Sequence, residues 1–201
     1  MTLRIGIDFD NTLACYDQVF TALARELNLI DLSEVKTKQE IRAQARLRDE
    51  RLWQRMQGMV YGQRMQQAAL FLGAAEFLSH CAASGVEVYI VSHKTRLGHF
   101  DETQTDLREA ARLWMRHQGF FDRYAILEEN LYFESTQSDK IARINSLQCD
   151  FFIDDLPEIL HHPELAHPIK KILFNSNAGA AAADVITCGS WPEIEAVIFG
   201  R

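Results

Sequence analysis

The chain has 201 residues, of which 47% are hydrophobic and 24% are charged. This length and balance predict one domain with a real core, or one domain with a modest insertion, and they exclude a disordered or collagen-like chain. The formal net charge of −7 provides no basic field for a nucleic acid polymer or an anionic membrane surface, although a small phosphorylated substrate needs only a local positive site.

The cysteines and the apolar runs indicate a cytoplasmic setting. Cys15, Cys81, Cys149 and Cys188 are far apart and form no C-x-x-C pair, which argues against a zinc knuckle or a disulfide framework. The first residues lead directly into strand-like sequence, so we expect no secretory leader. No apolar run is long enough to span a bilayer. We therefore expect a cytoplasmic protein that keeps its thiols reduced and does not act at a membrane.

Five short apolar runs are typical of buried parallel strands. They are Leu3–Phe9, Glu87–Val91, Arg123–Leu127, Phe151–Ile153 and Lys171–Phe174. Helical patterns separate the runs, as at Glu76–Ala83 and Asp106–His117, which end at Gly85 and Gly119. Strands that alternate with helices predict an α/β fold with a doubly wound parallel sheet, covered by helices on both faces.

The stretch between the first two predicted strands is too long for one crossover helix. From Asp17 to about Leu72 it carries helical patterns, as in Glu40–Met59, and no strand signal. It is either a lid over a functional site or a crossover that only braces the sheet. We favour the lid because active-site lids commonly grow from loops at the carboxyl ends of strands. The predicted organisation is a core of residues 1–16 and 73–201 with a small helical cap of residues 17–72.

Two other segments have unusual sequences. Glu129–Ser135 resembles a viral-protease tag site with Glu in place of Gln, but its position inside the chain favours native sequence. Ala178–Ala183 is of low complexity, and we expect a small helix or a loop without a function there.

The strongest local signal is a buried strand that ends in two acids. In Ile5–Leu13 the acids are Asp8 and Asp10, and a turn-forming residue, Asn11, follows them. Two solvated aspartates would be an ordinary explanation for this segment alone. Paired charge at the end of a buried strand, however, is costly without a metal or a cation nearby. Mg²⁺ suits such a pair, because it binds one or two carboxylates together with waters and substrate phosphate.

Three further signals follow in chain order. Ser92 is a hydroxyl donor at the end of the second predicted strand, and Lys140 lies in the first turn of a predicted helix. A cation is unfavourable in a first helical turn, so a nearby anion would explain it. Asp154-Asp155 then ends another buried strand. Each signal has an ordinary explanation, but their joint occurrence at strand ends and a helix start is far less expected by chance.

This ordered set resembles the four motifs of the haloacid dehalogenase-like hydrolase superfamily. The motifs stand here as Asp8-Phe9-Asp10-Asn11-Thr12, Ser92, Lys140 and Asp154-Asp155. The resemblance covers most of the chain. It implies a Rossmann-like core of about five parallel strands, and the helical insertion is similar to the first cap class of that superfamily.

The resemblance also implies roles for these residues. Asp8 corresponds to the nucleophile that forms an aspartyl phosphate, and Asp10 corresponds to the general acid and base. Ser92 and Lys140 would bind the phosphate oxygens. Mg²⁺ would be held by Asp8, the carbonyl oxygen of Asp10 and the Asp154-Asp155 pair. Which acid of that pair touches the metal directly stays open, with a preference for Asp155.

Asp10 separates the possible reactions. Dehalogenases of this superfamily lack the second acid, so its presence favours a phosphatase for a small phosphate monoester, such as a nucleotide or a sugar phosphate. Phosphonate cleavage would need a reactive cap lysine, whereas Lys36 and Lys38 have a simpler explanation as solvated residues. A phosphotransferase or phosphomutase, and a non-catalytic binding or regulatory protein, stay open as alternatives, although the intact Asp8 and Asp10 favour catalysis.

The leaving group would be recognised by residues outside these motifs. His93 and Lys94 directly follow Ser92, and Tyr61 and Arg64 lie in the predicted cap; all four are candidate substrate contacts. The expected partner is a small phosphorylated metabolite, because a lid restricts access. The sequence leaves the particular ester and the oligomeric state open.

Overall fold

The structure is a computed structural model that describes residues 2–31, 33, 36–100, 102–165, 168–174 and 184–200. The chain divides into two compact units. Unit 1 consists of Met1–Ala14, Leu70–Lys94 and Gln118–Arg201, and unit 2 consists of Cys15–Ala69 and Thr95–His117.

The described residues form eight strands and eight α-helices in chain order. The strands are β1 (Arg4–Ile7), β2 (Ala14–Cys15), β3 (Ala69–Leu70), β4 (Glu87–His93), β5 (Leu131–Glu134), β6 (Phe151–Asp154), β7 (Lys170–Phe174) and β8 (Val185–Cys188). The helices are α1 (Asp17–Glu26), α2 (Lys38–Arg48), α3 (Glu50–Tyr61), α4 (Ala74–Ala83), α5 (Leu107–His117), α6 (Gln137–Leu147), α7 (Pro157–Leu160) and α8 (Trp191–Phe199).

Unit 1 is built on a six-stranded parallel sheet in the order β5-β4-β1-β6-β7-β8. The chain runs from the central β1 to β4 and β5 on one side, and then returns to β6, β7 and β8 on the other. Ile7 of β1 is in register with Ile90 of β4 and Ile153 of β6, so the carboxyl ends of the three strands meet at one edge. The predicted α/β class with a doubly wound parallel sheet is confirmed.

One predicted strand is wrong, and two strands that form the edges of the sheet were missed. Residues 123–127 form the end of a turn followed by irregular backbone, with the backbone N–H of Ile126 donating to the carbonyl of Phe120 over 3.0 Å. Ala125 there has a φ of 53°, which a strand does not allow. The sheet is instead extended by β5, which lies within the tag-like Glu129–Ser135 segment, and by β8. Residues 178–183 lie outside the described residues.

Apolar side chains cover both faces of the sheet in unit 1. On β6, Phe152 packs in a buried cluster with Ile141 and Ile144 of α6. A second cluster joins Phe77 of α4 to Trp191 of α8, whose ring centroids are 5.0 Å apart. The glycine in β1 is a packing requirement, because a Cβ at Gly6 would lie 2.5 Å from the Phe152 ring.

Unit 2 is helical and contains α1, α2, α3 and α5. Its core includes stacked rings of Phe20 and Trp53, with centroids 5.0 Å apart. Residues 95–117 were expected in the core domain, whereas they cluster with the predicted cap residues. The reason is visible at α5, where the buried Trp114 donates its indole N–H to the carbonyl of Ala68 over 2.9 Å. Within the described ranges, none of the helices has the length and apolar composition that crossing a bilayer requires.

Candidate active site

The loop after β1 carries Asp8 and Asp10 beyond the central strand. The backbone N–H of Asp8 donates to the carbonyl of Ile153 over 2.8 Å, which extends the pairing of β1 with β6 by one residue. The chain then turns at Asn11, whose φ of 63° is left-handed and suits asparagine better than most residues. The amides of Leu13 and Ala14 donate to the carbonyl of Phe9. These bonds fix the loop that presents both acids.

Lys140 is buried between two aspartates. Its side chain is 1% exposed, and Nζ lies 2.6 Å from Oδ1 of Asp8 and 2.7 Å from Oδ2 of Asp154. The lysine reaches this position from the start of α6, whose N-cap is Thr136. The sequence-based expectation that an anion accompanies this cation therefore agrees with the geometry, in which two carboxylates share one ammonium group.

Burial is the largest influence on the pKa values of Asp8, Asp154 and Lys140. It raises the pKa of Asp8 well above its ordinary value, although Lys140 acts in the opposite direction, and the neighbouring carboxylates raise it further. Burial also raises the pKa of Asp154, and Lys140 again acts in the opposite direction. Burial alone would lower the pKa of Lys140, but the charges of Asp8 and Asp154 outweigh it and the pKa is raised. The lysine therefore stays charged, while burial keeps the pKa values of both carboxyl groups raised.

Asp8, Asp154 and Asp155 can hold a metal ion together. One oxygen from each carboxylate lies within 4.8 Å of the others. Hard oxygen donors in such a set suit Mg²⁺, and a divalent ion would supply the positive charge that Lys140 alone does not provide. Asp154 also accepts a hydrogen bond of 2.9 Å from the amide of Leu156, which fixes one of its oxygens. These residues therefore fit the predicted metal.

The side chain of Asp10 takes a different direction. It pairs with Lys94, whose Nζ lies 3.0 Å from Oδ1 and 2.8 Å from Oδ2. Lys94 was predicted as a candidate substrate contact, and in the structure its ammonium group has a carboxylate partner. The sequence did contain a signal for this ion pair. Lys94 stands two residues after Ser92 at the end of a buried strand, where its charge needs a counter-ion.

The remaining predicted residues of unit 1 lie at the ends of β4 and of the loop after β1. Ser92 is 1% exposed and is in register with Phe133 of β5. His93 is exposed, and its Nε2 lies 3.1 Å from the carbonyl oxygen of Ser135. Thr12 was not predicted to have a role of its own. Its hydroxyl donates to Oδ2 of Asp8 over 3.3 Å and so helps to orient the acid.

Tyr61 and Arg64 belong to unit 2. The Tyr61 ring packs edge-on against Tyr16, with centroids 4.8 Å apart, and its hydroxyl accepts a hydrogen bond of 3.4 Å from Lys38. Arg64 forms an ion pair with Glu26, with a 2.7 Å bond from one guanidinium nitrogen. Both side chains thus have structural contacts within their own unit.

Comparisons with known proteins support the fold. No protein-family model matches the chain, and no curated protein matches it. Among solved structures, a hydrolase of the haloacid dehalogenase (HAD) family from Deinococcus radiodurans R1, with bound phosphate and sodium, has a TM-score of 0.59 at 16% identity, covering 99% of this chain and 96% of that one. The HAD-hydrolase YfnB from Bacillus subtilis, bound to magnesium, has a TM-score of 0.57 at 12% identity, covering 98% of both chains.

A third solved structure carries a different activity in its name. Protein tyrosine kinase A of Mycobacterium tuberculosis has a TM-score of 0.60 at 15% identity, covering 98% of this chain and 97% of that one. Identities this low show likeness of fold alone. The chain therefore has the fold of these solved structures, two of which are HAD-family hydrolases by name. Asp8, Lys140 and Asp154 meet at the carboxyl edge of its sheet.

Proposed function

From this fold and this cluster, we propose that the protein is a hydrolase of the haloacid dehalogenase kind, a Mg²⁺-dependent phosphatase. Its substrate would be a small phosphate monoester, such as a nucleotide or a sugar phosphate. The observation that carries the proposal is the buried Lys140, which lies 2.6 Å from Asp8 and 2.7 Å from Asp154. A carboxylate beside a fixed cation, with two further acids for a metal, is the equipment that phosphoryl transfer to an aspartate needs.

In the first step, an oxygen of Asp8 attacks the phosphorus atom. A bond forms between that oxygen and phosphorus, and the bond from phosphorus to the ester oxygen breaks. Asp10 gives its carboxyl proton to the departing oxygen, so that an alcohol leaves rather than an alkoxide. General acid catalysis of this kind typically contributes about 10²–10⁴-fold.

In the second step, water replaces the leaving group. Asp10, now ionised, takes a proton from the water as its oxygen attacks phosphorus. The bond from phosphorus to Asp8 breaks, which releases inorganic phosphate and regenerates the carboxylate. One residue serves both steps because the proton that it gave in the first step is recovered in the second.

Lys140 and Ser92 would bind the non-bridging oxygens of the phosphoryl group, where negative charge shifts during transfer. Asp8, Asp154 and Asp155 would hold Mg²⁺, together with the carbonyl oxygen of Asp10. When bound, the ion offsets the repulsion between the attacking carboxylate and the phosphate and fixes their geometry. The raised pKa values of Asp8 and Asp154 support this part, because burial disfavours the charged forms of these acids and a bound cation would offset that cost.

A phosphotransferase is the second candidate. The similarity in fold to Protein tyrosine kinase A supports this candidate. A phosphotransferase would differ from a phosphatase only in the acceptor of the phosphoryl group. We further propose a cytoplasmic location, which is supported by the four free cysteines. Products decide between the two reactions: a phosphatase releases inorganic phosphate from every turnover, whereas a transferase requires an acceptor alcohol.

The test of the proposed function is a panel of phosphorylated metabolites assayed with Mg²⁺ and with EDTA. Wild-type protein should release phosphate only with Mg²⁺, and Asp8→Asn should remove turnover because it keeps the shape but deletes the attacking charge. Asp122→Asn, the same change at an exposed acid of unit 1, is the matched control and should leave turnover unchanged. Phosphate release by pure Asp8→Asn protein, or full activity in EDTA, would contradict the proposal.

A further inference from the structure

Lys94 is a second buried lysine at the carboxyl edge of the sheet. Its side chain is 2% exposed, and its Nζ contacts both carboxylate oxygens of Asp10, at 3.0 and 2.8 Å. Burying an ammonium group costs several kcal/mol unless a counter-charge accompanies it. The geometry of the contact, with one nitrogen against two oxygens, limits rotation of the carboxylate about its bond to Cβ.

The lysine is the fixed partner of this pair. Its backbone N–H donates to the carbonyl of Glu134 over 2.9 Å, which continues the pairing of β4 with β5. Its ammonium group also lies 5.5 Å from the centroid of the Phe9 ring. Asp10, in contrast, lies on the loop beyond β1, where its backbone pairs with that of Ala14 in an isolated β-bridge. The sheet therefore holds in place a cation that contacts both oxygens of the acid.

We propose that Lys94 is a positioning residue that holds the Asp10 carboxyl group in the orientation for proton transfer. This inference rests on the proposed function. Without the ammonium group, the carboxyl group would lose a contact to both of its oxygens, and its orientation toward the ester oxygen would be less well fixed. A misplacement of about 1 Å typically costs about 10²-fold in rate. The attack by Asp8 does not depend on this contact, because Asp8 has its own partners in Lys140 and Thr12.

A substrate-binding role would give a different kinetic pattern. If Lys94 bound an anionic group of the substrate, its loss would raise KM for each ester that carries that group and leave kcat unchanged. If it positions Asp10, the loss falls on kcat and depends on how much the leaving oxygen needs a proton. An alkyl oxygen needs one, whereas the oxygen of p-nitrophenol hardly does.

The experiment compares wild-type protein with Lys94→Met, which keeps the side-chain stem and removes the charge. For an alkyl phosphate we expect kcat to fall by about 10²-fold with little change in KM. For p-nitrophenyl phosphate we expect a fall of about threefold or less. In an Asp10→Asn background, Lys94→Met should change the alkyl phosphate rate little further, because the group that it positions is no longer an acid.

Lys171→Met is the matched control. Lys171 is also a buried lysine of unit 1, 5% exposed, and it pairs with Asp184 over 3.0 Å. The control removes one buried ammonium group without touching Asp10, so the ratio of the two substrates should stay at the wild-type value. If Lys94→Met fails to fold, as judged by circular dichroism, Lys94→Gln serves in its place because it also removes the charge, and an unchanged substrate ratio in that variant overturns the inference.

Two outcomes with folded Lys94→Met would overturn the inference alone: equal losses on both substrates, or a raised KM with unchanged kcat. In either case the wild-type protein is active and Asp8→Asn is inactive, so the proposed function stands. Failure of the proposed function looks different, because wild-type protein then hydrolyses no ester or Asp8→Asn retains turnover. That result overturns both.

Discussion

Each acid of the loop after β1 has its own lysine. Asp8 shares Lys140 with Asp154, and Asp10 pairs with Lys94. The two pairs differ in their surroundings, since Asp8 is almost fully buried whereas the Asp10 side chain is 19% exposed. A buried carboxylate suits a nucleophile that must be poorly solvated before it attacks. A carboxylate with access to water suits a group that must exchange protons in two successive steps.

The raised pKa of Asp8 predicts how pH and Mg²⁺ act together on stability. Because its folded-state pKa lies above the unfolded value of about 3.9, the metal-free protein loses stability as pH rises from that value through the raised pKa. Mg²⁺ binds the ionised form and offsets this loss. We therefore expect the increase in Tm on adding saturating Mg²⁺ to grow across that pH window, measured by thermal unfolding with and without EDTA.

The control for this prediction is Asp155→Asn, which removes one of the three acids that can hold the ion. The Mg²⁺-dependent increase in Tm should become smaller in this variant at every pH. Ca²⁺ should also stabilise the wild-type protein but support little turnover, because its longer and looser coordination misplaces the attacking oxygen. A Tm that is indifferent to Mg²⁺ at all pH values would contradict a metal site at these acids.

At the scale of elements, the N-cap of α6 lies close to Lys140 in the chain and helps to position it. Thr136 accepts a hydrogen bond of 3.1 Å from the amide of Asp139 and donates one of 2.7 Å to its carboxylate. The cap fixes the first turn of the helix, and the next residue is Lys140. The lysine therefore owes its position to the start of α6 as well as to its two carboxylate partners.

Thr136→Ala should lower the free energy of unfolding by about 1 kcal/mol, the usual cost of losing an N-cap. It should also lower kcat/KM several-fold, because the first turn that carries Lys140 becomes less well ordered. Ser190→Ala is the matched control, since Ser190 caps α8 with the same pattern of bonds to Glu193. That variant should lose similar stability and keep wild-type kinetics. Equal kinetic losses in both variants would show that general destabilisation is the cause.

The elements differ in how well the sequence predicted them. β1, β4, β6 and β7 were predicted because they are continuous apolar runs with residues buried on both faces. The two edge strands, β5 and β8, were not. In β5, Leu131 and Phe133 are buried while the residues between and after them are only partly so. This short alternation gives a weak strand signal, and the apolar residues of the irregular segment 123–127 gave a stronger one.

Part of the geometry of the candidate site was also predictable from the sequence. Asp8, Lys140 and Asp154 came from their positions at strand ends and a helix start, and the structure brings them within hydrogen-bonding distance. The pairing of Lys94 with Asp10 joins residues 84 positions apart. Such a pairing depends on the register of β1 with β4, which a single sequence does not encode in any local pattern.

At the scale of the whole molecule, the second unit is assembled from two separate insertions. Cys15–Ala69 follows β1, and Thr95–His117 follows β4, so both leave the sheet at strand ends that also carry Asp10 and Lys94. The bond from Trp114 to Ala68 and the packing of α5 on α3 show that the two insertions form one body. In the chain, both segments directly follow residues of the candidate site, and active-site lids commonly grow from loops at the carboxyl ends of strands.

We therefore expect unit 2 to act as a lid that selects the leaving group. Beryllofluoride with Mg²⁺ mimics a phosphoryl group on Asp8 and should slow amide exchange in residues 17–72 and 95–117, measured by mass spectrometry. Closure would exclude water and strengthen the electrostatics around the phosphoryl group. The Asp8→Asn protein is the control, since it offers no charged oxygen to the mimic and should show no change in exchange.

Substitutions in unit 2 complete this prediction. Arg64→Ala and Glu26→Ala both remove the ion pair that joins the two side chains, so each should lower stability to a similar small extent. If Arg64 also contacts the leaving group, only Arg64→Ala should change the order of preference among phosphate esters, and Tyr61→Ala should do the same if its ring or hydroxyl takes part. All three variants should keep wild-type kcat on a small generic ester, because the attacking and proton-transferring groups lie in unit 1. Two results together would mean that these helices only brace the sheet. Amide exchange in unit 2 would be the same with and without beryllofluoride, and the order of preferred substrates would be unchanged in every variant.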